Sequence, residues 1–268
     1  MMKLLLNKEL VKIDITEEVV KAAAGNEMAG KGVMTVLLEQ IGADVVITKE
    51  VSKAAAANHG SGGKVMTLLF ERREPEVVIT EEVVKAAVAN HGSGKEVITV
   101  LLEWRESDVV ITEEVVKAAA NNGKNGEEMA MLLFERRGSD VVITEEMVKI
   151  IAQRFGGEVM KLLFERQEAK LVITEEVVKA AAENKESGKE VMILLLEKQG
   201  ADIVITEEVV MLVVGKFDKE VMILLLEKRG ADVVITEEVV KAAAGNWKSG
   251  KEVMMLLLEK QAADVVIT

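Results

Sequence analysis

The chain contains no cysteine, no tyrosine and a single proline. Its aromatic residues are two tryptophans and five phenylalanines. Without cysteine the protein can form no disulfide, no thiolate zinc site and no cysteine nucleophile. With so few aromatic residues, a buried core must consist of valine, leucine, isoleucine, alanine and methionine, which together suit close and regular helix packing. The shortage therefore favours regular helices over one bulky globular centre.

Basic residues are also in deficit, because 34 lysines and arginines stand against 46 acidic residues and give a net charge of −12. Binding to a nucleic-acid backbone needs clustered basic residues, so we expect no nucleic-acid partner. The longest apolar runs, such as residues 221–226, are far shorter than the roughly 20 residues needed to span a bilayer. Residues 1–6 lack the length and cleavage site of a secretory signal, so a cytoplasmic protein without a membrane partner is expected.

An isoleucine-threonine pair recurs along the whole chain, with successive copies 32 or 30 residues apart. A fixed period in this range is the signature of a stacked repeat array, in which each unit contacts mainly its neighbours. The isoleucines of these pairs are Ile15, Ile47, Ile79, Ile111, Ile143, Ile173, Ile205, Ile235 and Ile267.

The period predicts an all-α fold, an α-solenoid of about eight stacked helix-turn-helix units of 30–32 residues. Residues 1–14 align with a second helix and are predicted to be a partial N-terminal repeat, and residues 15–268 to be one continuous solenoid domain. The β-branched Val-Val-Ile segments between units are predicted to be extended connectors that fill the core. Stacked helices lie about 8–10 Å apart and paired strands about 4.8 Å, so isolated bridges at most are expected there.

The first helix of each unit begins at a threonine such as Thr236, whose hydroxyl is a good N-cap. The spacing of Glu237 and Lys241 predicts an i,i+4 ion pair. The same pair is predicted in other units, as Glu17–Lys21, Glu81–Lys85, Glu113–Lys117, Glu145–Lys149 and Glu175–Lys179. Asparagine or glycine after the alanine-rich end is a usual stop signal. In the unit that begins at Thr48, Lys49 and Ser52 break this pattern, so we expect the softest point of the array there.

The second helix is predicted to open with a capping box, because Ser-x-x-Glu occurs at Ser93, Ser187 and Ser249. Glycines such as Gly138 and Gly230 are predicted to cap its end. Its Leu, Met and Phe side chains are larger than the alanines of the first helix, so the first-helix side is predicted to be concave. Two units have a shortened loop that contains Phe155 or Phe217, and these rings are predicted to cover exposed core.

The two histidines of the chain, His59 and His91, lie in the same loop of successive units. A metal needs ligand bonds of about 2.0–2.1 Å and more ligands than these two, so solvated loop residues are the favoured interpretation and no metal is expected. No Ser-His-Asp set is apparent, and the glycine-rich loops lie between helices, not after a strand as a phosphate-binding loop does. We therefore expect neither a cofactor nor an enzyme.

Candidate protein-binding residues are Trp104, Trp247, Arg72 and Arg136. Trp104 occupies a column of mostly basic residues, including both arginines, near the end of the second helix, and Trp247 replaces the histidine of the loop. Exposed tryptophan is a favoured binding anchor. The alternative is that these are single exposed apolar residues of the kind common on protein surfaces.

Residues 188–202, Gly-Lys-Glu-Val-Met-Ile-Leu-Leu-Leu-Glu-Lys-Gln-Gly-Ala-Asp, resemble the second helix and turn of an ankyrin repeat, without the Thr-Pro-Leu-His opening. The fuller motif Val-Val-Ile-Thr-Glu-Glu-Val-Val-Lys-Ala-Ala-Ala resembles an ankyrin-associated repeat of large fungal proteins of the NACHT-containing, NOD-like receptor type. That resemblance implies an array that serves recognition or scaffolding beside a nucleotide-binding module, of which this chain carries no motif.

The sequence as a whole predicts a non-catalytic repeat scaffold for protein-protein recognition, as the sensor array of a larger protein. An alternative is a structural solenoid that stacks end to end into oligomers or filaments, since residues 2–6 and 265–267 are apolar and carry no evident polar cap.

Overall fold

The computed structural model describes residues 14–40, 45–138, 141–166, 173–198 and 205–267. These residues contain sixteen α-helices and no strand. The chain divides into two compact units, Met1–Val141 and Val142–Thr268. The predicted partial repeat over 1–14 and single domain over 15–268 stay predictions, and residues 1–13 lie outside the described residues.

Odd-numbered helices are the first helices of the repeats and even-numbered helices are the second ones. The first unit contains α1 Glu17–Ala24, α2 Gly30–Gln40, α3 Lys49–Ala57, α4 Gly62–Arg73, α5 Glu81–Val88, α6 Gly94–Arg105, α7 Glu113–Ala120 and α8 Gly123–Arg137. The second unit contains α9 Glu145–Arg154, α10 Gly157–Arg166, α11 Glu175–Glu183, α12 Gly188–Lys198, α13 Glu207–Lys216, α14 Lys219–Arg229, α15 Glu237–Ala244 and α16 Gly250–Ile267.

Within each unit, every first helix packs on its own second helix and on the next first helix, and second helices pack on one another in the same order. The first helices bury valine and alanine, for example Val84 and Ala87, and the second helices bury larger residues, for example Met66 and Leu69. This is the arrangement of an α-solenoid built from helix-turn-helix repeats, as predicted.

The connectors between repeats are extended, and their side chains alternate between core and solvent. Val77 is 2% exposed and the adjacent Val78 is 41% exposed. The described residues contain no bridge, so the prediction of extended, core-filling connectors is confirmed. Residues 265–267 differ, because they are helical as the last turn of α16. The α-helix continues through them, whereas a 3-10 turn ends before Val77 and before Val109, which are extended and buried.

At four first helices the threonine before the helix also bonds to the preceding repeat: Thr48, Thr174, Thr206 and Thr236. Thr206 accepts a hydrogen bond from Val209 N at 3.2 Å, which confirms the predicted N-cap. The same hydroxyl donates to Glu175 of the preceding repeat at 2.7 Å. Thr16 and Thr80 make no side-chain cap bond.

The predicted i,i+4 pairs form between Glu237 and Lys241 at 2.9 Å and between Glu175 and Lys179 at 2.7 Å. For other repeats the predicted partner was wrong, because the lysine pairs with the second glutamate of the helix, three residues before it. These pairs are Lys21–Glu18, Lys85–Glu82, Lys117–Glu114 and Lys149–Glu146. The first glutamates of α1 and α9 instead accept a threonine hydroxyl from the next repeat.

In five of the loops that follow a first helix, an asparagine bonds to the preceding repeat. Asn58 donates to the carbonyls of Ala24 and Asn26 at 2.8 and 2.9 Å, and its Oδ1 accepts from Gly60 N and Ser61 N. Asn90, Asn122, Asn184 and Asn246 donate to the preceding repeat in the same way. Sequence reasoning treated these residues only as stop signals.

The predicted capping box at the second helix was wrong for Ser93. Its side chain makes no cap bond; it donates to the Asn58 carbonyl at 2.6 Å. Its intended partner Glu96 extends to the preceding repeat, where a Cβ on Gly63 would lie 2.7 Å from its Oε2. The asparagine and the neighbouring repeat therefore organise the start of this helix.

Both shortened loops bury their phenylalanine, as predicted, because Phe155 is 2% and Phe217 7% exposed. The Phe155 carbonyl also accepts from Asn184 at 2.9 Å, so the shorter loop keeps the asparagine bond between repeats.

Gly138 and Gly230 occupy the predicted C-cap positions, with right-handed φ of −59° and −55°.

Candidate interaction surfaces

Trp104 lies in the last turn of α6, where 43% of the residue is exposed. Its ring stacks on Phe70 of α4, with the ring centroids 5.5 Å apart and the ring planes at 11°. Phe70 is 1% exposed, so the core holds one face of the tryptophan and the other side of the indole faces solvent. A large apolar surface held in this way loses little conformational freedom when it binds a partner.

Arg72 and Arg136 lie at the ends of α4 and α8 and are exposed, as predicted for this column. Arg136 Nη2 lies 2.8 Å from Glu106 Oε2 in the 3-10 turn of the preceding repeat. This contact raises the pKa of Arg136 and lowers the pKa of Glu106. Arg136 is therefore already engaged between repeats.

Trp247 lies in the loop between α15 and α16 of the second unit and is 92% exposed. Trp104 belongs to the first unit, so the two predicted anchors lie on different units. Each is a separate candidate surface.

The two histidines lie closer together than stacked helices do, with ring centroids 6.4 Å apart. The loops approach because Gly92 packs on the His59 backbone, where a Cβ would lie 2.2 Å from the His59 carbonyl oxygen. His59 Nδ1 lies 3.4 Å from Glu27 Oε1. Across the described ranges, no three residues of the types His, Cys, Asp and Glu are grouped so that they could hold a metal.

The surface of the first helices carries ion pairs that cross between repeats. Lys179 Nζ lies 2.7 Å from Glu175 and from Glu208, and 3.1 Å from Glu176. Hydrogen bonds from Lys179 and from the Thr206 hydroxyl lower the pKa of Glu175 to about 2, and the same carboxylates raise the pKa of Lys179.

A groove of about 490 Å³ lies between α11 and α13 in the second unit. Met211, Leu212 and Gly215 line it together with four charged residues, Lys179, Glu183, Glu208 and Lys216. Sequence reasoning missed this groove, although a signal was present: Met211 occupies a position that is lysine in the other first helices, and Leu212 one that is usually alanine.

In the part of the chain that the structure describes, no helix has both the length and the apolar character required to cross a membrane.

The family model described as Domain of unknown function (DUF7104) matches eight consecutive segments of about 30 residues, which together cover most of the chain. The segments are 4–34, 36–66, 68–97, 100–129, 132–160, 162–192, 194–222 and 224–254. Neither a curated protein nor a solved structure matches the chain.

Proposed function

The chain belongs to this DUF7104 family, and we propose that it is a non-catalytic scaffold whose stacked repeats recognise a protein partner. The observation that carries the proposal is the exposed part of Trp104, which the buried ring of Phe70 holds in place. Rigid aromatic anchors are enriched among the residues that dominate protein interfaces. Trp247, 92% exposed, offers a second anchor.

Selection of binding peptides from a random display library tests this proposal. The immobilised full chain is the bait, and selected peptides are remeasured by fluorescence anisotropy against the wild type, Trp104→Ala and Trp247→Ala. We expect selected peptides whose affinity falls about tenfold or more in a tryptophan variant, because truncation of an anchor residue typically costs over about 1 kcal/mol. A library that yields no peptide, or peptides indifferent to both variants, contradicts the tryptophan surfaces as recognition sites.

A specific observation favours self-association as a second candidate function. The outer side of α15 and α16 exposes Val240 and Leu258, at 36% and 57%. The equivalent Val210 and Leu196 are each 1% exposed, since the next repeat covers them. A further repeat or the end of a second copy would bury this surface, and a heterologous contact that does not close gives filaments.

Size-exclusion chromatography with light scattering over a concentration series tests self-association. The candidate function predicts a mass that rises with concentration and returns to that of one chain in Leu258→Glu. A single-chain mass at every concentration rejects it and leaves partner recognition as the function.

The narrower identification, an array of an ankyrin-like, NACHT-containing receptor, belongs to the same proposal and rests on the repeat motif alone. It makes this chain the recognition part of a larger cytoplasmic protein. A nucleotide-binding module encoded upstream in the same reading frame would support this identification, and a reading frame that consists of repeats only would contradict it.

A further inference from the structure

One first helix departs from the others at two adjacent positions. In α13 the residue four positions after the first glutamate is Met211, and the next is Leu212. The residues equivalent to Met211 are Lys21, Lys53, Lys85, Lys117, Lys149, Lys179 and Lys241. The residues equivalent to Leu212 are Ala22, Ala54, Ala86, Ala118, Ile150, Ala180 and Ala242. In α13, therefore, an apolar side chain replaces the lysine and a larger apolar side chain replaces the alanine.

These two side chains form the apolar floor of the groove between α11 and α13. Both Met211 and Leu212 are only partly buried, and Gly215 adds no side chain that would fill the space. The volume of about 490 Å³ lies within the range of ligand pockets, which is about 300–1,000 Å³. Methionine adapts to differently shaped apolar partners because its side chain is flexible and polarisable.

The two helices that border the groove are acidic overall, although the lining itself holds two lysines and two glutamates. Helices α11 and α13 carry five glutamates and two lysines, Lys179 and Lys216. Lys179 is shared by Glu175, Glu176 and Glu208, so its charge is already engaged. A lysine in place of Met211 would add positive charge, as Lys241 does beside Glu237 and Glu238 in the next repeat.

We infer that this groove binds a protein segment in which an aliphatic or aromatic side chain is flanked by lysine or arginine. The apolar side chain would lie on Met211 and Leu212, and the cation would supply the charge that the missing lysine provides elsewhere. Complementary charge sets partner choice and register more than raw affinity, so the apolar contact carries the binding. The inference rests on the proposed recognition function and assigns it a site and a partner chemistry.

Three labelled peptides of equal length test the inference by fluorescence anisotropy with the full chain. The first carries two leucines flanked by lysines, the second has serine in place of each leucine, and the third has glutamate in place of each lysine. We expect the first peptide to bind at least about tenfold more tightly than the other two, with an affinity that falls as salt is raised. Equal binding of the first and second peptides would show attraction to an acidic surface only and would overturn the inference.

Two variants of the chain locate the site. Met211→Gln with Leu212→Ala removes the apolar floor at constant charge, and Met211→Lys with Leu212→Ala restores the sequence that other repeats already tolerate. Both should keep the helical circular dichroism and thermal midpoint of the wild type. We expect the glutamine variant to bind the first peptide about tenfold more weakly than the wild type does. The lysine variant should bind it more weakly still.

The results separate this inference from the broader proposal. Unchanged binding in both Met211 variants refutes the groove as the site. If library-selected peptides still lose affinity in Trp104→Ala, the recognition function stands without the groove. If the leucine-lysine peptide and the library both give no binding, the groove and the recognition function fail together.

Discussion

The Nδ2 atom of Asn90 lies 2.9 Å from the carbonyl oxygen of Ala56, so a side chain of one repeat completes the hydrogen bonding of the helix end in the preceding repeat. Asn90 also donates to the Asn58 carbonyl and accepts from Gly92 N and Ser93 N. It is 2% exposed, so water cannot replace these bonds. One buried amide thus fixes both its own loop and the register of two repeats.

Replacing Asn90 by alanine should destabilise the protein by about 2 kcal/mol, because the Ala56 carbonyl would remain buried without this donor. Urea unfolding followed by circular dichroism measures the change. Asn122→Ala is the matched control. Asn122 donates to Val88 O at 2.7 Å, but its buried Oδ1 has no hydrogen-bond partner in the described structure. If Asn122→Ala lowers the free energy of unfolding as much as Asn90→Ala or more, the role assigned to the loop bonds is contradicted.

Ser52→Val should stabilise the protein by about 1–2 kcal/mol. Ser52 is fully buried and its hydroxyl has no hydrogen-bond partner in the described structure, while the equivalent Val84 packs in the core. That the unit beginning at Thr48 is the softest stays a prediction. The thermal midpoint measures the effect, and Ser52→Ala, which removes the hydroxyl without filling the space, should gain less. A lower midpoint for the valine variant would refute the explanation.

The ion pair between Glu175 and Lys179 predicts a loss of stability in acid. The folded pKa of Glu175, about 2, lies below its ordinary value of 4.5, so its contribution is complete above pH 4.5 and disappears as the pH falls towards 2. We expect the thermal midpoint of the wild type to fall more steeply over this interval than that of Lys179→Met. High salt should reduce the difference because the pair is exposed. If the thermal midpoints of the two proteins fall in parallel with pH at low salt, this prediction is contradicted.

Gly92→Ala should destabilise the first unit, because the new Cβ would lie 2.2 Å from the His59 carbonyl oxygen and push neighbouring loops apart. A Cβ added to Gly32 in α2 would meet no atom within 4 Å, so Gly32→Ala should stabilise the protein by about 0.5–1 kcal/mol through helix propensity. Chemical unfolding of both variants provides the comparison. Similar effects of the two substitutions would show that the loops do not pack as described.

Much of the fold is readable from the chain because the signals are local and repeated. The threonine N-caps, the extended connectors and the burial of Phe155 and Phe217 depend on residues within one unit, so a single copy of the motif contains the information. The errors share another cause. Ser93 was assigned to Glu96, and Lys21 to Glu17, because only neighbours in sequence were considered, whereas Ser93 bonds to Asn58 and Glu17 accepts from Thr48 of the next repeat.

For the candidate surfaces, too, features of one repeat could be predicted and contacts between repeats could not. The exposure of Trp247 and the half-exposure of Trp104 agree with their positions in the repeat, but the support of Trp104 by Phe70 joins two repeats and is not visible in either one. The groove at Met211 required both the missing lysine, which is a sequence feature, and the packing of α13 beside α11, which is not.

The sequence by itself determined the helical repeat, its period and the burial pattern of each helix, because capping, side-chain size and hydrophobic periodicity act over a few residues. The tertiary structure alone decided which atoms of a neighbouring repeat each polar side chain reaches. A loop asparagine, a capping threonine or a helix lysine reaches atoms of its own repeat and of its neighbour about equally well. Only the stacking of one repeat on the next brings a particular buried carbonyl or carboxylate within hydrogen-bond distance.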